Sequence, residues 1–249
     1  MRILVTNDDG VYSPGILALA EAAAHFGDVR IVAPDVEQSS MGHAITSSRP
    51  LTSKKTTIGN FEAYRVNGTP ADCVALGAYI WQRVNLVLSG INLGTNLGNS
   101  VWHSGTLAGA KQAALLGMRG IAFSTPAGRT DPPFEKLAPW VRRVLETLLP
   151  DDSLKLVNVN LPRDPKALKW ARQSVRQYDG AVVPGEDPMG RQHFWLTVRP
   201  IEETEEGTDL WAVREGYVSL TPLRLDLTDH AELARVSAQE RRVLETARS

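Results

Sequence analysis

The chain holds one cysteine, Cys73, in 249 residues. A single thiol excludes an intrachain disulfide and a cysteine-built zinc cage. Cys73 lies in an apolar helical stretch and reads as a small core residue. No apolar run approaches the ~18 residues of a membrane span. The first residues lack the charged-then-apolar layout of a secretion signal. These absences lead to the expectation of a cytoplasmic protein with no membrane partner. An excess of either charge is missing too: 27 Lys+Arg meet 28 Asp+Glu, a net charge of -1. That gives no general field for a nucleic-acid duplex. Neither G-x-G-x-x-G nor G-x-x-x-x-G-K-[ST] occurs, so dinucleotide and P-loop readings lose their main support. No internal repeat or low-complexity tract is present.

What is present is ordinary globular material, 43% hydrophobic and 22% charged. It suits one large domain, or a core with an appendage. Residues 2–6 are a short apolar, β-branched run, which predicts a buried strand. It stops in Asn7-Asp8-Asp9-Gly10, a cluster of turn formers. Ser13-Pro14 then opens a helix, Ser13 as N-cap and Pro14 at the first helical position. Ile16, Leu19, Ala20, Ala23 and Phe26 keep helical spacing up to Gly27. Residues 29–33 form the next strand, giving a βαβ unit and hence a parallel sheet. Residues 47–61 look like an extended excursion without strong pattern. A strand follows at 61–66, then a capping-box helix from Thr69-Pro70-Ala71-Asp72 to about Gln82. Further strands are expected at 86–88, 121–124 and 156–161. Helices are expected at 107–116 and from Pro132-Pro133 to about Leu149, the latter interrupted by Pro139.

Beyond Lys169 the pattern changes to short extended runs at 171–175, 180–184, 194–198 and 217–225, with a turn at 185–190. Glu202 to Glu206 is a short acidic stretch that reads as a solvated loop. From Asp229 a charged helix carries Leu233, Val236, Val243 and Leu244 as sparse apolar positions. The expected architecture is α/β: a doubly wound, mostly parallel, Rossmann-like sheet with a C-terminal antiparallel hairpin appendage. The division is residues 1–165 as a metal- and phosphate-binding core, and 166–249 as hairpin extension and C-terminal helix, part of the same domain.

The chemistry gathers in loops at the carboxyl ends of strands, where open α/β sheets bind ligands. Asp8 and Asp9 point to opposite faces unless the chain has left strand geometry. Brought together they repel unless a cation or shared proton intervenes. The plain alternative is an Asx-turn leading into the helix. The loop 38–46 leaves the same sheet edge. A serine there can ligate a metal or simply satisfy backbone groups. His43 reads as structural or solvent-facing. Residues 89–100 hold three glycines and three asparagines in one loop. Glycine allows close approach to a ligand, and asparagine offers an acceptor and a donor. Ser104, Gly105 and Thr106 fall at the next helix N-terminus, which suits phosphate, unless Ser104 or Thr106 merely caps it. His103 is a proton donor or a packing residue. Asp8, Asp9, Ser39 and Asn92 follow three parallel strands and can meet on one edge. All four offer oxygen, a set that suits Mg²⁺ or Mn²⁺ rather than zinc or copper. A metal beside a phosphate site suggests hydrolytic phosphoryl transfer.

The sequence resembles the SurE family of survival-protein nucleotidases. The resemblance spans nearly the whole chain. It rests on Asn7-Asp8-Asp9-Gly10 with Pro14-Gly15, Ala33-Pro34-Asp35 with Ser39, and Gly68-Thr69-Pro70-Ala71-Asp72-Cys73. It continues through Ser89-Gly90-Ile91-Asn92, Asn96-Leu97-Gly98, Ser104-Gly105-Thr106, Gly207-Thr208-Asp209 and Gly216-Tyr217-Val218-Ser219. It implies one divalent ion per subunit at Asp8, Asp9, Ser39 and Asn92. It implies phosphate contacts at Asn96 and at Ser104, Gly105 and Thr106. It also implies a nucleoside monophosphate substrate, and a homodimer or homotetramer built partly by exchanged C-terminal elements. Ser40 stands where the family pattern would put a glycine after the serine, so Ser40 stays open beside Ser39 as the ligand.

Two mechanisms fit such a site. One is in-line attack by a metal-activated water with Asp8 as base, while Asn96, Ser104 and Thr106 hold the phosphoryl oxygens. The other is direct attack by Asp8 to form an aspartyl-phosphate. Two other functions fit the fold: a non-catalytic nucleotide or metal-binding module, and a sugar-nucleotide glycosyltransferase. The first strand ends in Asp-Asp rather than Asp-x-Asp, which speaks against a haloacid-dehalogenase-type phosphatase.

Overall fold

A computed structural model of the chain describes all residues except 129–131, 133, 175–177, 201–203 and 247–249. The first half runs β1 (Arg2–Thr6), α1 (Pro14–Ala23), β2 (Asp28–Pro34), β3 (Ser53–Ile58), β4 (Phe61–Val66), α2 (Pro70–Trp81) and β5 (Leu86–Leu93). A short 3-10 helix, Gly98–Trp102, leads to α3 (Gly105–Leu115), β6 (Arg119–Thr125), α4 (Phe134–Leu148) and β7 (Leu156–Asn160). The rest is β8 (Ala167–Trp170), β9 (Tyr178–Glu186), β10 (Gln192–Pro200), α5 (Asp209–Arg214), β11 (Tyr217–Pro222) and α6 (His230–Thr246).

Alternation along β1 builds the two helical layers. Ile3 and Val5 join the apolar cluster of Ile16 and Leu19 on α1 and Leu137 and Val141 on α4. Leu4 faces the other way, into a cluster with Cys73 and Val74 of α2 and Ala113 of α3. The large sheet has nine strands in the order β3-β4-β2-β1-β5-β6-β7-β11-β8. Strands β4, β2, β1, β5, β6 and β7 run parallel, with β3 antiparallel at one edge and β11 antiparallel to β7 near the other. The chain winds outward from β1 to β4, then returns to the opposite side of β1 as β5. The strand order therefore reverses between β1 and β5, and their carboxyl ends open the crevice where such sheets bind ligands.

The structure departs from the sequence reading at several places. Residues 53–58, read as patternless, form β3 by antiparallel pairing with β4. A polar edge strand carries no core-facing periodicity, so alternation does not reveal it. Residues 89–93, read as loop, continue β5 with a register irregularity between Ser89 and Asn92. Gly90 sits there at φ 133°, where an added Cβ would lie 2.1 Å from the Phe123 carbonyl oxygen. Pro139 lies inside α4 without ending it. The helix survives because only one intrahelical bond near its start is lost. Helix α5 was not foreseen, and residues 171–174 are not a strand; Arg172 makes an isolated bridge to Thr208. β11 pairs with β7 and β8 rather than with the hairpin, so β8 and β11 extend the large sheet from beyond residue 165. Only β9 and β10 form the separate antiparallel pair. Pro133, Val175 and Glu202 lie outside the described residues, as do the side chains of Val243 and Leu244. Among the described residues no helix is long and apolar enough to cross a membrane.

Candidate metal and phosphate site

The turn after β1 is held from inside. Asn7 is fully buried, and its side-chain amide donates to the Gly10 carbonyl at 2.9 Å and to Ser13 Oγ at 2.7 Å. Ser13 stands at the N-cap of α1 as expected, yet its hydroxyl makes no capping bond and serves Asn7 instead. The turn directs both carboxylates toward the β1–β5 crevice. Asp8 is 4% exposed, and its Oδ1 accepts the Thr106 hydroxyl at 2.7 Å. Asp9 Oδ2 accepts the Leu93 N–H at 3.2 Å. Gly105 is needed for this approach: a Cβ there would lie 2.8 Å from Asp8 Cβ.

Both carboxyls are held above the ordinary carboxylate range. For Asp8 the main cause is burial, opposed by the Thr106 hydrogen bond. For Asp9 burial and then the Asp8 charge raise the value to about 6. The nearby Glu37 pushes both in the same direction. Neighbouring carboxylates that resist ionisation fit a position where a cation completes the charge balance.

The loop bearing Ser39 is tied down at several points. Gln38 N–H donates to the Asp8 carbonyl at 2.8 Å, and Gly42 N–H to the His103 carbonyl at 3.0 Å. The expected capping box on α2 forms, and it does a second job. Asp72 Oδ2 takes the Thr69 N–H at 2.9 Å, while Oδ1 takes the Thr46 N–H at 2.9 Å. Thr69 donates its hydroxyl to the Ala44 carbonyl at 2.8 Å. Thus the Gly-Thr-Pro-Ala-Asp segment anchors the Ser39 loop. Ser39 itself is exposed and donates to Glu37 Oε1 at 2.6 Å. Ser40 takes φ 61°, the left-handed conformation that glycine favours, which accounts for the glycine expected in that place. His43 bonds Gln112 Oε1 at 2.9 Å, the structural one of the two roles read for it.

Asp8, Ser39, Asn92, Asn96 and Ser104 wall a single cleft of about 310 Å³, with Ser40 and His103 on its rim. Asn92 turns its amide hydrogen inward to the Gly94 carbonyl at 2.6 Å. That leaves its side-chain oxygen as the group it can offer a ligand. Ser104 caps α3, accepting the Leu107 N–H at 3.0 Å, and keeps its own O–H proton to donate. The backbone N–H groups of Gly105 and Thr106 open the same helix. Asn96 walls the cleft as expected of a phosphate contact, and its amide hydrogens go to Ser124 Oγ at 2.8 Å and Thr106 Oγ1 at 3.3 Å. A second cavity of about 520 Å³ continues from the cleft past Ser40 and His103 to Val182 and Leu196 of the hairpin.

Among the described residues no group of three His, Cys, Asp or Glu side chains is spaced to hold a metal. The donors lining the cleft are instead one carboxylate, Asp8, with Ser39 and Asn92, oxygen ligands suited to a hard cation such as Mg²⁺ or Mn²⁺, while Asp9 stands beside them with its Oδ2 on the Leu93 N–H and is not part of the lining. Sequence reading missed Glu37 and two buried asparagines on β7, Asn158 and Asn160. Glu37 had a signal, since it lies two residues before Ser39. The β7 pair had one as well: polar amides alternating with valine in a strand otherwise read as wholly buried.

The family described as "Survival protein SurE" matches residues 3–180. The chain is 50% identical over 245 residues to "5'-nucleotidase SurE 1" of Thermus thermophilus, covering 95% of this chain and 97% of the relative. It is 44% identical to "5'-nucleotidase SurE" of Deinococcus radiodurans, covering 91% and 88% of the two chains. The crystal structure of a SurE protein from Aquifex aeolicus superposes with a TM-score of 0.83 at 39% identity, covering 96% of this chain and 100% of that one.

Proposed function

The chain belongs to the SurE family, and on that premise we propose that it is a 5'-nucleotidase whose activity depends on a divalent ion. The substrate is a nucleoside 5'-monophosphate and the products are nucleoside and phosphate. The observation that carries this is the meeting of Asp8, Asn92, Ser39 and Ser104 around one cleft beside the start of α3. Asp8, Asp9, Ser39 and Asn92 would hold one Mg²⁺ or Mn²⁺, which supplies positive charge and Lewis acidity at the phosphoryl group.

The chain's own groups do the rest. Ser104 O–H and the N–H groups of Gly105 and Thr106 face the phosphoryl oxygens, and the helix dipole favours their negative charge. Asp8 Oδ1 is aimed by the Thr106 hydroxyl. Asp8 Oδ2 remains to take a proton from the attacking water, the role of base. The adjoining cavity of about 520 Å³ takes the nucleoside, with Val182 and Leu196 against the base. His103, on the wall shared by both cavities, lies toward the leaving oxygen. The exposed Val183 and Trp195, on the opposite face of the hairpin, suit a second copy of the chain in a homodimer or homotetramer. With one buried cysteine, the protein works in the cytoplasm.

The test is phosphate release from AMP and GMP across a series of divalent ions, with Asp9→Ala as control. Release that needs Mg²⁺ or Mn²⁺ and vanishes in Asp9→Ala is the expected result. Full release after exhaustive chelation refutes metal dependence. Binding of nucleotide without release leaves a binding module, and sugar transfer without monophosphate hydrolysis indicates a glycosyltransferase.

A further inference from the structure

Strand β7 reads Leu156-Val157-Asn158-Val159-Asn160, and every residue in it is buried. Alternation puts Asn158 and Asn160 on one face and the two valines on the other. Two amides at 0% exposure in the middle of a sheet cost stability unless bonded. Their partner is Asn96, a loop residue 62 and 64 positions away in sequence. Asn160 Oδ1 accepts the Asn96 N–H at 2.9 Å, and Asn160 Nδ2 donates to the Asn96 carbonyl at 3.0 Å. Asn158 Nδ2 donates to the same carbonyl at 2.7 Å. The Asn160 side chain thus stands in for a paired strand, holding both backbone polar groups of Asn96.

The hydrogen bonds beyond Asn96 have a forced direction. A carboxylate only accepts, so the single Thr106 hydroxyl proton goes to Asp8 Oδ1. Thr106 Oγ1 must then accept, and only the amide nitrogen of Asn96 can face it. The second Asn96 hydrogen is taken by Ser124. A rotated Asn96 would set its oxygen against the Thr106 oxygen, with no proton between them. Beyond the two-way pairing of Asn160 with the Asn96 peptide, the bonds therefore run one way, from the Asn96 amide through Thr106 to the carboxylate of Asp8.

We propose that Asn160, with Asn158 beside it, is a positioning residue for the reaction: it fixes the Asn96 peptide, so that Asn96 orients Thr106 and Thr106 orients Asp8. The proposal rests on the nucleotidase reading of the cleft, in which Asp8 is the base. Asn160 is fully buried and does not line the cleft. Its effect falls on the geometry of the reacting group, where a displacement of about 1 Å costs on the order of 10²-fold in rate.

Three variants test it: Asn160→Asp, Thr106→Val and the double variant. Asn160→Asp keeps size and the acceptor for Asn96 N–H, but loses the donor to its carbonyl. We expect kcat for AMP to fall about 10- to 100-fold with KM within about 2-fold of wild type. Because both residues act through Asp8, the double variant should be no slower than the slower single one, within about 2-fold. Val159→Ala, on the opposite face of the same strand, lowers Tm by cavity formation and should leave kcat unchanged. A crystal structure of Asn160→Asp should show the Asn96 amide turned away from Thr106. Unchanged kcat in a folded Asn160→Asp protein, or effects of the two substitutions that multiply, overturns the proposal. An equal loss of kcat in Val159→Ala also overturns it, since the loss would then follow stability alone. An inactive wild type with an intact Asn160–Asn96–Thr106 chain overturns the nucleotidase reading instead.

Discussion

The crevice between β1 and β5 and the β9–β10 hairpin treat polarity in opposite ways. In the crevice, polar side chains are buried and joined to one another: Asn7, Asp8, Asn96, Thr106 and Asn160 all have partners inside the chain. In the hairpin, large apolar side chains stand in solvent, Leu196 at 87%, Trp195 at 64% and Val182 at 61% exposed. Buried networks of this kind rigidify a site and fix its geometry before any ligand arrives. Exposed apolar patches mark a surface that another body covers. The crevice is thus built from polar groups bonded within the chain, while the hairpin leaves its large apolar side chains exposed.

The largest effect is expected from neutralising the buried carboxylate. Asp8→Asn keeps the acceptor for Thr106 and removes the base. Phosphate release from AMP should fall at least about 10²- to 10⁴-fold. Tm without metal should hold or rise, because a charge is no longer held out of water. A variant that keeps more than about a tenth of wild-type kcat would remove Asp8 from the mechanism. Gly105→Ala comes next. Its methyl would meet Asp8 Cβ at 2.8 Å, so either the helix start or the carboxylate must move. A loss of about 10²-fold in kcat is expected, with about 1–3 kcal/mol lost from stability on thermal unfolding.

The hairpin should respond differently on its two faces. Val182 and Leu196 pair across the strands, as do Val183 and Trp195, and successive residues alternate sides. Leu196→Asp places a charge beside the base and should raise KM for AMP about 10-fold, leaving hydrolysis of methyl phosphate unchanged. Trp195→Ser should leave KM alone and shift the protein to smaller assemblies on size-exclusion chromatography. If both substitutions act on KM, or both on assembly, the division of the hairpin into two working faces fails.

The sequence made the crevice legible because its parts announce themselves locally. A β-branched run ending in Asn-Asp-Asp-Gly, and a Gly-Thr pair opening a helix, each carry their own chemistry. It was less informative wherever meaning lay in a distant pairing. Ser53–Ile58 becomes a strand only against β4. β11 joins the sheet by pairing antiparallel with β7 and parallel with β8, neither of which its own residues specify. The same limit hid the supports of the site. Asn158 and Asn160 looked like parts of a buried strand, and their role is set by a loop more than sixty residues earlier. The resemblance implies a phosphate contact at Asn96, which does line the cleft. Only the positions of Ser124 and Thr106 reveal that its hydrogens are already engaged.

The smallest effect is a pH dependence confined to the crevice. Burial and then the Asp8 charge raise Asp9 from 3.8 to about 6. The folded, metal-free protein therefore binds this proton more tightly than the unfolded chain does. The stability Asp9 contributes is full below about 3.8 and is lost as pH rises through about 6. After chelation, wild-type Tm should drop relative to Asp9→Asn by a few degrees between about pH 4 and 6. Saturating Mn²⁺ should abolish that difference in slope, because a bound cation favours the ionised carboxylates that burial opposes. The hairpin supplies the contrast, as no buried acid stands there among the described residues, so Trp195→Ser should shift Tm equally at each pH. A wild-type slope that persists in Mn²⁺ would mean that these carboxylates face something other than a cation.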